Sequence, residues 1–440
     1  MLADEGHAGA LPARPVVVCG AGAAGTAAAL AAARSGVAVL LIETAPNLGG
    51  TVANVLIHTI GGLFDSSGDF INDGLPRELV ERLQAADSRT GRRKMGRLVV
   101  LQVCPNVYRH TLERWIGDEP QITMLLGATI GSVRQSDGQI TELSVKFREQ
   151  HFSVQPRAVV DATGTAAVAR LLSSSHVIDD QQRAGGGLIF RLRNASPGAL
   201  QFPKGVGVVS AIRAAADAGA LPSACRHAWL DAGIDPDEAF VKLLVPLPSG
   251  ALSAAGQNDE YQTALATQAA LVNFLKQLPD FRDAVVTQTG SLGIRDGGRI
   301  AGRYTLTGDD VRAGRTFADG ICRCAWPIEY WDSIRGVSIE YLPAGAAYEI
   351  PMRCLQLMGV ENYWTAGKCL SADRHAHASA RVAGACWAMG QAAGRAAALC
   401  QEHEEIGAHE SLRPVSRYGA TAAESSRGNH DSARHRSVVP

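Results

Sequence analysis

Two histidines and an arginine lie close together near the end of the chain. They are His375, His377 and Arg381, in the stretch Asp-Arg-His-Ala-His-Ala-Ser-Ala-Arg. A neutral imidazole readily accepts a proton because its ordinary pKa is about 6.5. A guanidinium binds carboxylates and other planar anions. The segment therefore predicts a catalytic base beside an anion-binding group, with helix capping and loop hydrogen bonds as the alternative role of each histidine.

A second group of residues combines aromatic rings with a carboxylate. It comprises Trp326, Glu329, Tyr330 and Trp331, within Cys-Ala-Trp-Pro-Ile-Glu-Tyr-Trp-Asp. Such a mixture suits the wall of a pocket for a flat or cationic small molecule, and it suits an ordinary aromatic core equally well. His58 is a further candidate for this pocket, although a structural histidine is the alternative. These five residues are the predicted substrate contacts.

The elements that would position these groups begin at a short apolar run, residues 16–19, which predicts a strand buried in a parallel sheet. Gly20-Ala21-Gly22-Ala23-Ala24-Gly25 follows directly. In such a turn the first glycine permits the bend, the second leaves room for a pyrophosphate, and the third lets the helix pack against the strand. A helix over 26–35 and a strand over 37–42 should come next, ending at Glu43.

The carboxylate of Glu43 stands where it can accept hydrogen bonds from both hydroxyls of an adenosine ribose. Strand, glycine turn, helix, strand and carboxylate in this order favour a dinucleotide site over a purely structural turn. The negative charge disfavours a 2′-phosphate on that ribose. The residues alone therefore indicate FAD or NAD.

Later segments resemble the FAD-dependent oxidoreductase family, within the flavoproteins of the glutathione-reductase type that have two dinucleotide-binding domains. The resemblance covers about residues 15–400. Besides the glycine turn and Glu43, the matching segments are Asn47–Thr51, Val159–Gly164, Gly293–Asp310, Tyr348–Leu355 and Asn362 onward through the last helix.

The resemblance implies FAD as the cofactor. It also implies that the last helix directs its N-terminus at the pyrimidine edge of the flavin, with Ser379, Ala380 and Arg381 in its first turn. Free N–H groups there would stabilise the negative charge of reduced flavin, and a ligand-free core helix is the alternative. The predicted cofactor-binding residues are Gly20, Gly22, Ala23, Ala24, Gly25, Glu43, Gly49, Gly50, Thr51, Ala162, Thr163, Gly164, Gly367, Ser379, Arg381 and Gly384.

One position departs from the family pattern. Many relatives carry Gly-Asp after the last strand, where the Asp holds the ribityl chain, but this chain has Gly367-Lys368. We therefore expect main-chain groups, Ser371 or Asp373 to replace that contact.

The predicted fold class is α/β: a discontinuous Rossmann-like FAD-binding domain of the glutathione-reductase type, with an inserted α+β substrate domain. The FAD-binding domain is assigned to residues 15–50, 121–184 and 349–402, and the substrate domain with its connections to 51–120 and 185–348. Residues 1–14 are expected to form a flexible arm, and the polar residues 403–440 a disordered tail.

Composition narrows the class of protein. With 42 basic and 43 acidic residues, the net charge of −1 gives no electrostatic reason to expect nucleic acid as a partner. We expect no signal peptide and no membrane span. Nine cysteines, an odd number, predict reduced thiols and a cytoplasmic protein. Cys322 and Cys324 alone do not make a zinc site, so no metal is predicted.

The predicted function is a FAD-dependent dehydrogenase that oxidises a small organic metabolite at a C–N, C–O or C–C bond by hydride transfer to flavin N5. His375 or His377 would be the base, and Arg381 would hold a substrate carboxylate or the anionic flavin. No second glycine fingerprint of equal quality is found, so oxygen, a quinone or a protein is the expected electron acceptor. The alternatives are a flavin monooxygenase or halogenase using reduced FAD and O2, and a non-catalytic binding module of the Rab-escort type.

Overall fold

The computed structural model describes residues 11–179, 183–248, 254–332 and 334–400. The predicted tail and most of the predicted arm lie outside these residues. The strands, in chain order, are β1 (Val16–Cys19), β2 (Val39–Glu43), β3 (Thr59–Ile60), β4 (Gly91–Met95), β5 (Leu98–Gln102), β6 (Ile122–Leu126), β7 (Ala128–Ser136), β8 (Gln139–Phe147), β9 (Gln150–Val154), β10 (Ala158–Asp161), β11 (Val177–Ile178), β12 (Gly186–Arg193), β13 (Trp229–Ala232), β14 (Ala239–Val245), β15 (Val285–Thr289), β16 (Arg299–Ile300), β17 (Gly320–Cys324), β18 (Ile328–Asp332), β19 (Gly336–Glu340), β20 (Tyr348–Pro351) and β21 (Tyr363–Thr365). The helices are α1 (Ala23–Arg34), α2 (Gly50–Asn54), α3 (Leu75–Ala86), α4 (Pro105–Gly117), α5 (Ala167–Leu172), α6 (Lys204–Asp217), α7 (Ala254–Leu275), α8 (Gly308–Arg312), α9 (Arg374–Ala380) and α10 (Ala383–Leu399).

A parallel sheet of five strands forms the centre of the cofactor half, in the order β21-β10-β1-β2-β6. Val16 and Val18 of β1 pack in the same apolar core as helices α1 and α10. Val17 and Cys19 point to the other face, into a core shared with strand β8 of the meander β7-β8-β9. Burial on both faces explains why β1 is a continuous apolar run instead of an alternating one.

The first and last helices pack unusually closely because both are built from small residues. A Cβ atom placed on Gly390 would lie 2.1 Å from the carbonyl oxygen of Ala24, and one placed on Gly394 would lie 2.2 Å from that of Ala28. The two glycines are four residues apart and lie on the same face of α10. They bring the backbones of α1 and α10 into direct contact in the core on one face of the sheet.

A second, antiparallel sheet has the order β13-β14-β12-β15. One of its faces, with Leu188, Phe190 and Val241, shares a core with residues of α6 and α7. Its other face presents Ile189 and Phe240 to Val55 and Leu56, which follow the cofactor segment. The second sheet is therefore joined to the first half of the chain by a small apolar contact of its own.

The predicted α/β class with a parallel sheet is confirmed. Helix α1 begins at Ala23, three residues earlier than predicted, because Gly22 already serves as its N-cap. Helices α3 and α4, which the sequence assigned to the substrate domain and its connections, share the apolar core of the parallel sheet. The division into domains stays a prediction. In the described part of the chain, no helix is both long and apolar enough to cross a bilayer.

Candidate functional site

The glycine turn between β1 and α1 has the shape that a phosphate cradle needs. Gly20 has a φ of +97°, and a Cβ on it would lie 2.5 Å from the carbonyl oxygen of Ala162. A Cβ on Gly25 would lie 1.7 Å from the carbonyl oxygen of Gly20. At Gly22, by contrast, the nearest atom to such a Cβ is 3.8 Å away. The first and third glycines are therefore sterically required, and the second leaves open space at the helix N-terminus.

Glu43 lies beside this turn, at the end of β2. Its Oε2 accepts a hydrogen bond of 2.6 Å from the backbone N–H of Ala21, and its Oε1 accepts one of 2.8 Å from that of Ala45. These bonds hold the carboxylate at the mouth of the turn, while the residue remains half-buried. The carboxylate is thus fixed in position and reachable by a ligand.

The segment containing Gly49, Gly50 and Thr51 packs against the same turn. The N–H of Gly49, whose φ is +99°, donates a hydrogen bond of 2.9 Å to the carbonyl of Ala21. A Cβ on Gly50 would lie 2.6 Å from the Cα of Gly22. Thr51 is exposed. Glycine at 49 and 50 therefore lets a second backbone segment line the cradle.

The turn at Ala162, Thr163 and Gly164 follows β10 and is fixed by a residue that the sequence analysis did not single out, Asp161. This buried carboxylate accepts hydrogen bonds from the Thr163 hydroxyl (2.7 Å) and from the backbone N–H of Val168 (2.9 Å). Burial raises its pKa, and these hydrogen bonds oppose the rise. The sequence does carry a signal for this residue, because an acidic side chain at the end of a buried apolar strand needs hydrogen-bond donors around it.

Gly367 and Lys368 follow β21 and reach the same edge of the sheet. A Cβ on Gly367 would lie 2.9 Å from the Cβ of Ala24, so this turn touches the start of α1. The Lys368 side chain runs past Gly164, and its Nζ donates a hydrogen bond of 2.8 Å to the carbonyl of Ile294. Burial lowers the pKa of this ammonium group. Lys368 therefore places a buried positive charge where many relatives carry an aspartate.

Ser371 and Asp373, the expected substitutes for that aspartate, are engaged elsewhere. Ser371 is buried, and its hydroxyl accepts a hydrogen bond of 3.1 Å from the N–H of Gly302. The Asp373 carboxylate caps α9 through the N–H of Ala376 (2.7 Å) and accepts another hydrogen bond from Gly308 (2.8 Å). Both side chains act within the protein, which leaves Lys368 and main-chain groups beside the cradle.

The last helix differs from the prediction. Residues 374–399 form two helices, α9 and α10, because the chain is extended at Val382, the N-cap of α10. The expectation that Ser379, Ala380 and Arg381 form the first turn of the flavin-facing helix is therefore wrong. Ser379 lies at the end of α9, where its hydroxyl bonds the carbonyl of Trp326 (2.5 Å) and accepts from Tyr348 (2.8 Å).

The N-terminus of α10 instead begins at Ala383, with Gly384 in its first turn. The N–H of Gly384 donates a hydrogen bond of 2.9 Å to the carbonyl of Gly61, and a Cβ on Gly384 would lie 2.3 Å from the carbonyl carbon of Gly62. A Cβ on Gly61 would in turn lie 2.3 Å from the ring of Trp326. The Gly61-Gly62 loop thus links the helix N-terminus to the predicted substrate residues.

The two predicted catalytic histidines occupy different environments. His377 is buried, and its Nε2 lies 3.0 Å from the carbonyl of Lys368, so the neutral ring donates a hydrogen bond there. Burial lowers the pKa of His377 to about 3. His375 is exposed and lines an open pocket of about 330 Å³ with Tyr330 and Arg374. His377 fixes the Lys368 turn and His375 lies on the exposed side of α9, and the role of base stays a prediction for both.

Strand β18 separates the predicted substrate residues into two sets, because side chains alternate along a strand. Glu329 and Trp331 face one side. The Glu329 carboxylate accepts hydrogen bonds from both neighbouring indoles, that of Trp331 at 2.7 Å and that of Trp326 at 3.0 Å. Tyr330 faces the other side, where its hydroxyl accepts a hydrogen bond of 3.4 Å from Arg374. Trp326, Glu329 and Trp331 form one cluster, and Tyr330 belongs to the outer pocket.

Two arginines approach this cluster, and one of them, Arg295, was missed in the sequence. Its guanidinium lies over the Trp331 ring, 4.0 Å from the centroid, and donates a hydrogen bond of 2.6 Å to the carbonyl of Gly185. Arg381 donates a hydrogen bond of 3.2 Å to the carbonyl of Glu329. Burial lowers the pKa of both guanidinium groups. The pKa of Arg295 falls to about 9, and repulsion by the charge of Arg381 is a second cause of this shift.

Arg295, Arg381, Glu329, Trp326 and Trp331 all retain some solvent-accessible surface. These partly buried side chains come from three segments of the chain and lie around one solvent-accessible site. Within the described residues, neither guanidinium forms a salt bridge with a carboxylate, and both Glu329 oxygens are bound to indoles. The cleft therefore carries an excess of positive charge. We refer to these five residues as the inner cleft.

His58 lies away from the inner cleft. Its ring stacks on Phe240 of the second sheet at 3.9 Å between centroids, and its Nε2 lies 3.8 Å from a carboxylate oxygen of Asp231. Burial lowers the pKa of this imidazole. Asp231 itself accepts a hydrogen bond of 2.6 Å from Lys242. The position of His58 favours the structural alternative, a neutral histidine where the second sheet contacts the segment after α2.

The residues fit FAD on physical grounds. The carboxyl ends of β1, β2, β10 and β21 bring together a glycine cradle that side chains would fill, a fixed carboxylate at Glu43, and the amine of Lys368. A dinucleotide with a pyrophosphate and an adenosine ribose supplies the complementary charges and hydroxyls. Gly20, Gly22, Ala23, Ala24 and Gly25 would hold the pyrophosphate, and Glu43 the ribose.

Comparison with solved structures gives distant similarities. A geranylgeranyl bacteriochlorophyll reductase-like protein from Thermoplasma acidophilum is 13% identical over 89% of this chain and 78% of its own, with a TM-score of 0.47. CabE, an aromatic hydroxylase from angucycline biosynthesis, is 13% identical over 67% of this chain and 54% of its own, with a TM-score of 0.40. The flavin-dependent brominase Bmp2 is 13% identical over 67% of this chain and 70% of its own, with a TM-score of 0.40.

A comparison with curated proteins found no match. The sequence profile of the FAD dependent oxidoreductases, however, matches residues 15–409, which include the glycine cradle, Glu43, the turn after β10 and the last helix. The cofactor is therefore FAD, the protein is an enzyme, and the chain belongs to the FAD-dependent oxidoreductase family.

Proposed function

We propose that this enzyme is a FAD-dependent dehydrogenase that oxidises a small organic metabolite at a C–N, C–O or C–C bond. The observation that carries the proposal is the Glu329 carboxylate, held by the indoles of Trp326 and Trp331 in a cleft that also contains two arginines. The Gly61-Gly62 loop connects this cleft to the N-terminus of α10.

When bound, FAD supplies a two-electron acceptor for the hydride that leaves a substrate carbon. A dehydrogenation also requires a base that takes a proton from the substrate. We assign this role to Glu329 in place of the two histidines, because its carboxylate lies in the accessible cleft whereas His377 is buried against Lys368. The two indole donors orient the carboxylate and remain with it when the proton is transferred.

The test is anaerobic reduction of the purified holoprotein by candidate substrates. Amines, amino acids and hydroxy acids would be added in turn while the visible absorbance of the flavin is recorded. A dehydrogenase should bleach with at least one class of substrate in the absence of oxygen. Absence of bleaching by every compound, together with oxygen consumption when a reductase and NAD(P)H are supplied, would instead select a monooxygenase or halogenase.

A further inference from the structure

The inner cleft has two walls that belong to different parts of the fold. Arg381 lies between α9 and α10, next to the cofactor half. Arg295 is held by another segment: its Nη1 donates to the carbonyl of Gly185, and its guanidinium lies on the Trp331 ring. The N–H of Gly185 donates a hydrogen bond of 2.8 Å to the carbonyl of Trp331, so strands β12 and β18 fix this wall together.

Gly187 packs closely against one side of the Arg295 guanidinium. A Cβ placed on Gly187 of β12 would lie 3.2 Å from Nη2 and 3.3 Å from Nη1 of Arg295. The absence of a side chain at Gly187 therefore allows the guanidinium to occupy this position. The guanidinium is pre-organised by an aromatic ring, a carbonyl and a glycine, and its remaining N–H donors have no carboxylate partner among the described residues.

A pair of guanidinium groups sharing one cleft repel each other and lose hydration, and an anion placed between them offsets both costs. The charge of Glu329 offsets part of this repulsion, since it favours the charged form of both arginines. Its two oxygens accept hydrogen bonds from indoles instead of guanidinium groups, so one positive charge in the cleft is left without an anion among the described residues. A planar carboxylate matches the fork of a guanidinium, and the neighbouring indoles provide an apolar surface for the rest of a small molecule.

We infer that the substrate of this enzyme is an organic carboxylate whose carboxyl group is held by Arg295 on the substrate-domain wall, opposite Arg381. This inference rests on the proposed dehydrogenase function and specifies its substrate class. Arg295 acts in it as a binding residue, and Gly187 as the residue that keeps its guanidinium in place. The proton acceptor Glu329 then faces the carbon skeleton next to the bound carboxylate.

The experiment uses the FAD-loaded enzyme and four carboxylates, acetate, propionate, benzoate and phenylacetate, each paired with its neutral amide. Titration while the flavin absorbance spectrum is recorded gives a Kd for each compound without turnover. We expect at least one acid to bind about tenfold or more tightly than its amide, because a charge-assisted hydrogen bond is replaced by a neutral one. If no acid binds better than its amide, the inference fails.

Variants locate the site. Arg295→Met should weaken binding of the preferred acid about tenfold or more and leave its amide unchanged, whereas Arg295→Lys should restore part of the affinity. Gly187→Ala should also weaken binding of the acid, because the added methyl group would displace the guanidinium. The inference would be overturned if Arg295→Met lost FAD while Arg295→Lys and Gly187→Ala bound the acid as tightly as the unchanged enzyme. That result would assign Arg295 to cofactor binding.

The same titration separates this inference from the proposed function. Selective acid binding that depends on Arg295, without anaerobic bleaching by any substrate, would retain the carboxylate site and reject the dehydrogenase. Bleaching by neutral amines or alcohols, without any preference for acids, would retain the dehydrogenase and reject the carboxylate site.

Discussion

The backbone N–H of Ala21 donates a hydrogen bond of 2.6 Å to the Glu43 carboxylate, which joins the glycine turn to the end of the second strand. The two residues are distant in the chain, and parallel pairing of β1 and β2 brings them together. This contact fixes the carboxylate beside the glycine turn, where we propose that it accepts hydrogen bonds from the adenosine ribose of FAD.

Replacing this carboxylate should weaken cofactor binding. We expect Glu43→Gln to lower the affinity of the apoprotein for FAD about tenfold to a hundredfold, because hydrogen bonds to charged groups contribute about 1.5–3 kcal/mol. Quenching of flavin fluorescence during titration measures the Kd. Glu113→Gln, which removes a more exposed carboxylate from α4, should leave the Kd unchanged. Equal affinities for both variants would contradict the ribose contact.

Close packing of α1 and α10 makes a second prediction. Gly394→Ala should lower the free energy of unfolding by about 1–3 kcal/mol, because the new methyl group would overlap the carbonyl of Ala28. Gly207→Ala is the matched control: it also adds a methyl group inside a helix, α6, but nothing lies within 4 Å of it. That variant should gain about 0.5–1 kcal/mol. Urea denaturation checks both, and the same sign of change in the two variants would be inconsistent with the packing.

The buried imidazole of His377 should make the fold sensitive to acid. Burial lowers its folded-state pKa to about 3, whereas an unfolded chain takes up this proton near pH 6.5. The neutral ring therefore favours folding fully above about pH 6.5, and this advantage is lost as the pH falls from about 6.5 toward 3. The loss amounts to about 1.4 kcal/mol per pH unit, or about 2 kcal/mol by pH 5.

His377→Gln keeps a donor for the Lys368 carbonyl and removes the titrating group. Between pH 7 and pH 5 the free energy of unfolding should fall in both proteins. The fall should be about 2 kcal/mol smaller in His377→Gln than in the unchanged chain. His375→Gln, in the exposed neighbour on the same helix, should retain the full acid sensitivity. Urea denaturation at the two pH values provides the comparison. Identical acid profiles for the two glutamine variants would rule out this role of His377.

The buried ammonium group of Lys368 should favour the FAD-bound protein over the apoprotein. Its pKa is lowered by burial and its hydrogen-bond partner is a neutral carbonyl, so Lys368→Met should leave the apoprotein as stable as before or more stable. The increase in Tm on addition of FAD should become smaller, since we propose that this cation lies close to the bound cofactor. Differential scanning calorimetry with and without FAD measures both. An unchanged FAD-dependent increase in Tm would separate Lys368 from the cofactor.

Glu329 provides a prediction about catalysis. Glu329→Gln keeps the shape of the side chain but removes the proton acceptor, so the rate of anaerobic flavin reduction should fall about a hundredfold or more. FAD content should stay the same. Glu340 lies on the adjacent strand β19 and pairs with the exposed Arg312. The flavin of the Glu340→Gln variant should therefore be reduced at the normal rate. Rapid-mixing absorbance measurements distinguish the two, and a Glu329 variant of unchanged rate would require another base.

Local sequence determined the cofactor half of this enzyme. The run from Val16 to Glu43 predicts its own strand, turn, helix and second strand, because apolar periodicity and glycine requirements act between residues close together in the chain. Strands β7 and β8 are joined by a hairpin turn at Asp137 and Gly138. This turn was predictable for the same reason, since positive φ values of 49° and 75° suit these two residues. The family resemblance extended this reading to the turns after β10 and β21.

Only the tertiary structure decided how the catalytic candidates are distributed. His375 and His377 are two residues apart, yet one is exposed and the other is buried against Lys368, because a helix turns neighbouring side chains to different faces. Arg295 and Glu329 come from separate segments and meet only because β12, β18 and the α9–α10 junction pack around one cleft. Contacts between distant segments depend on how whole elements pack, which the order of residues within any one segment does not specify.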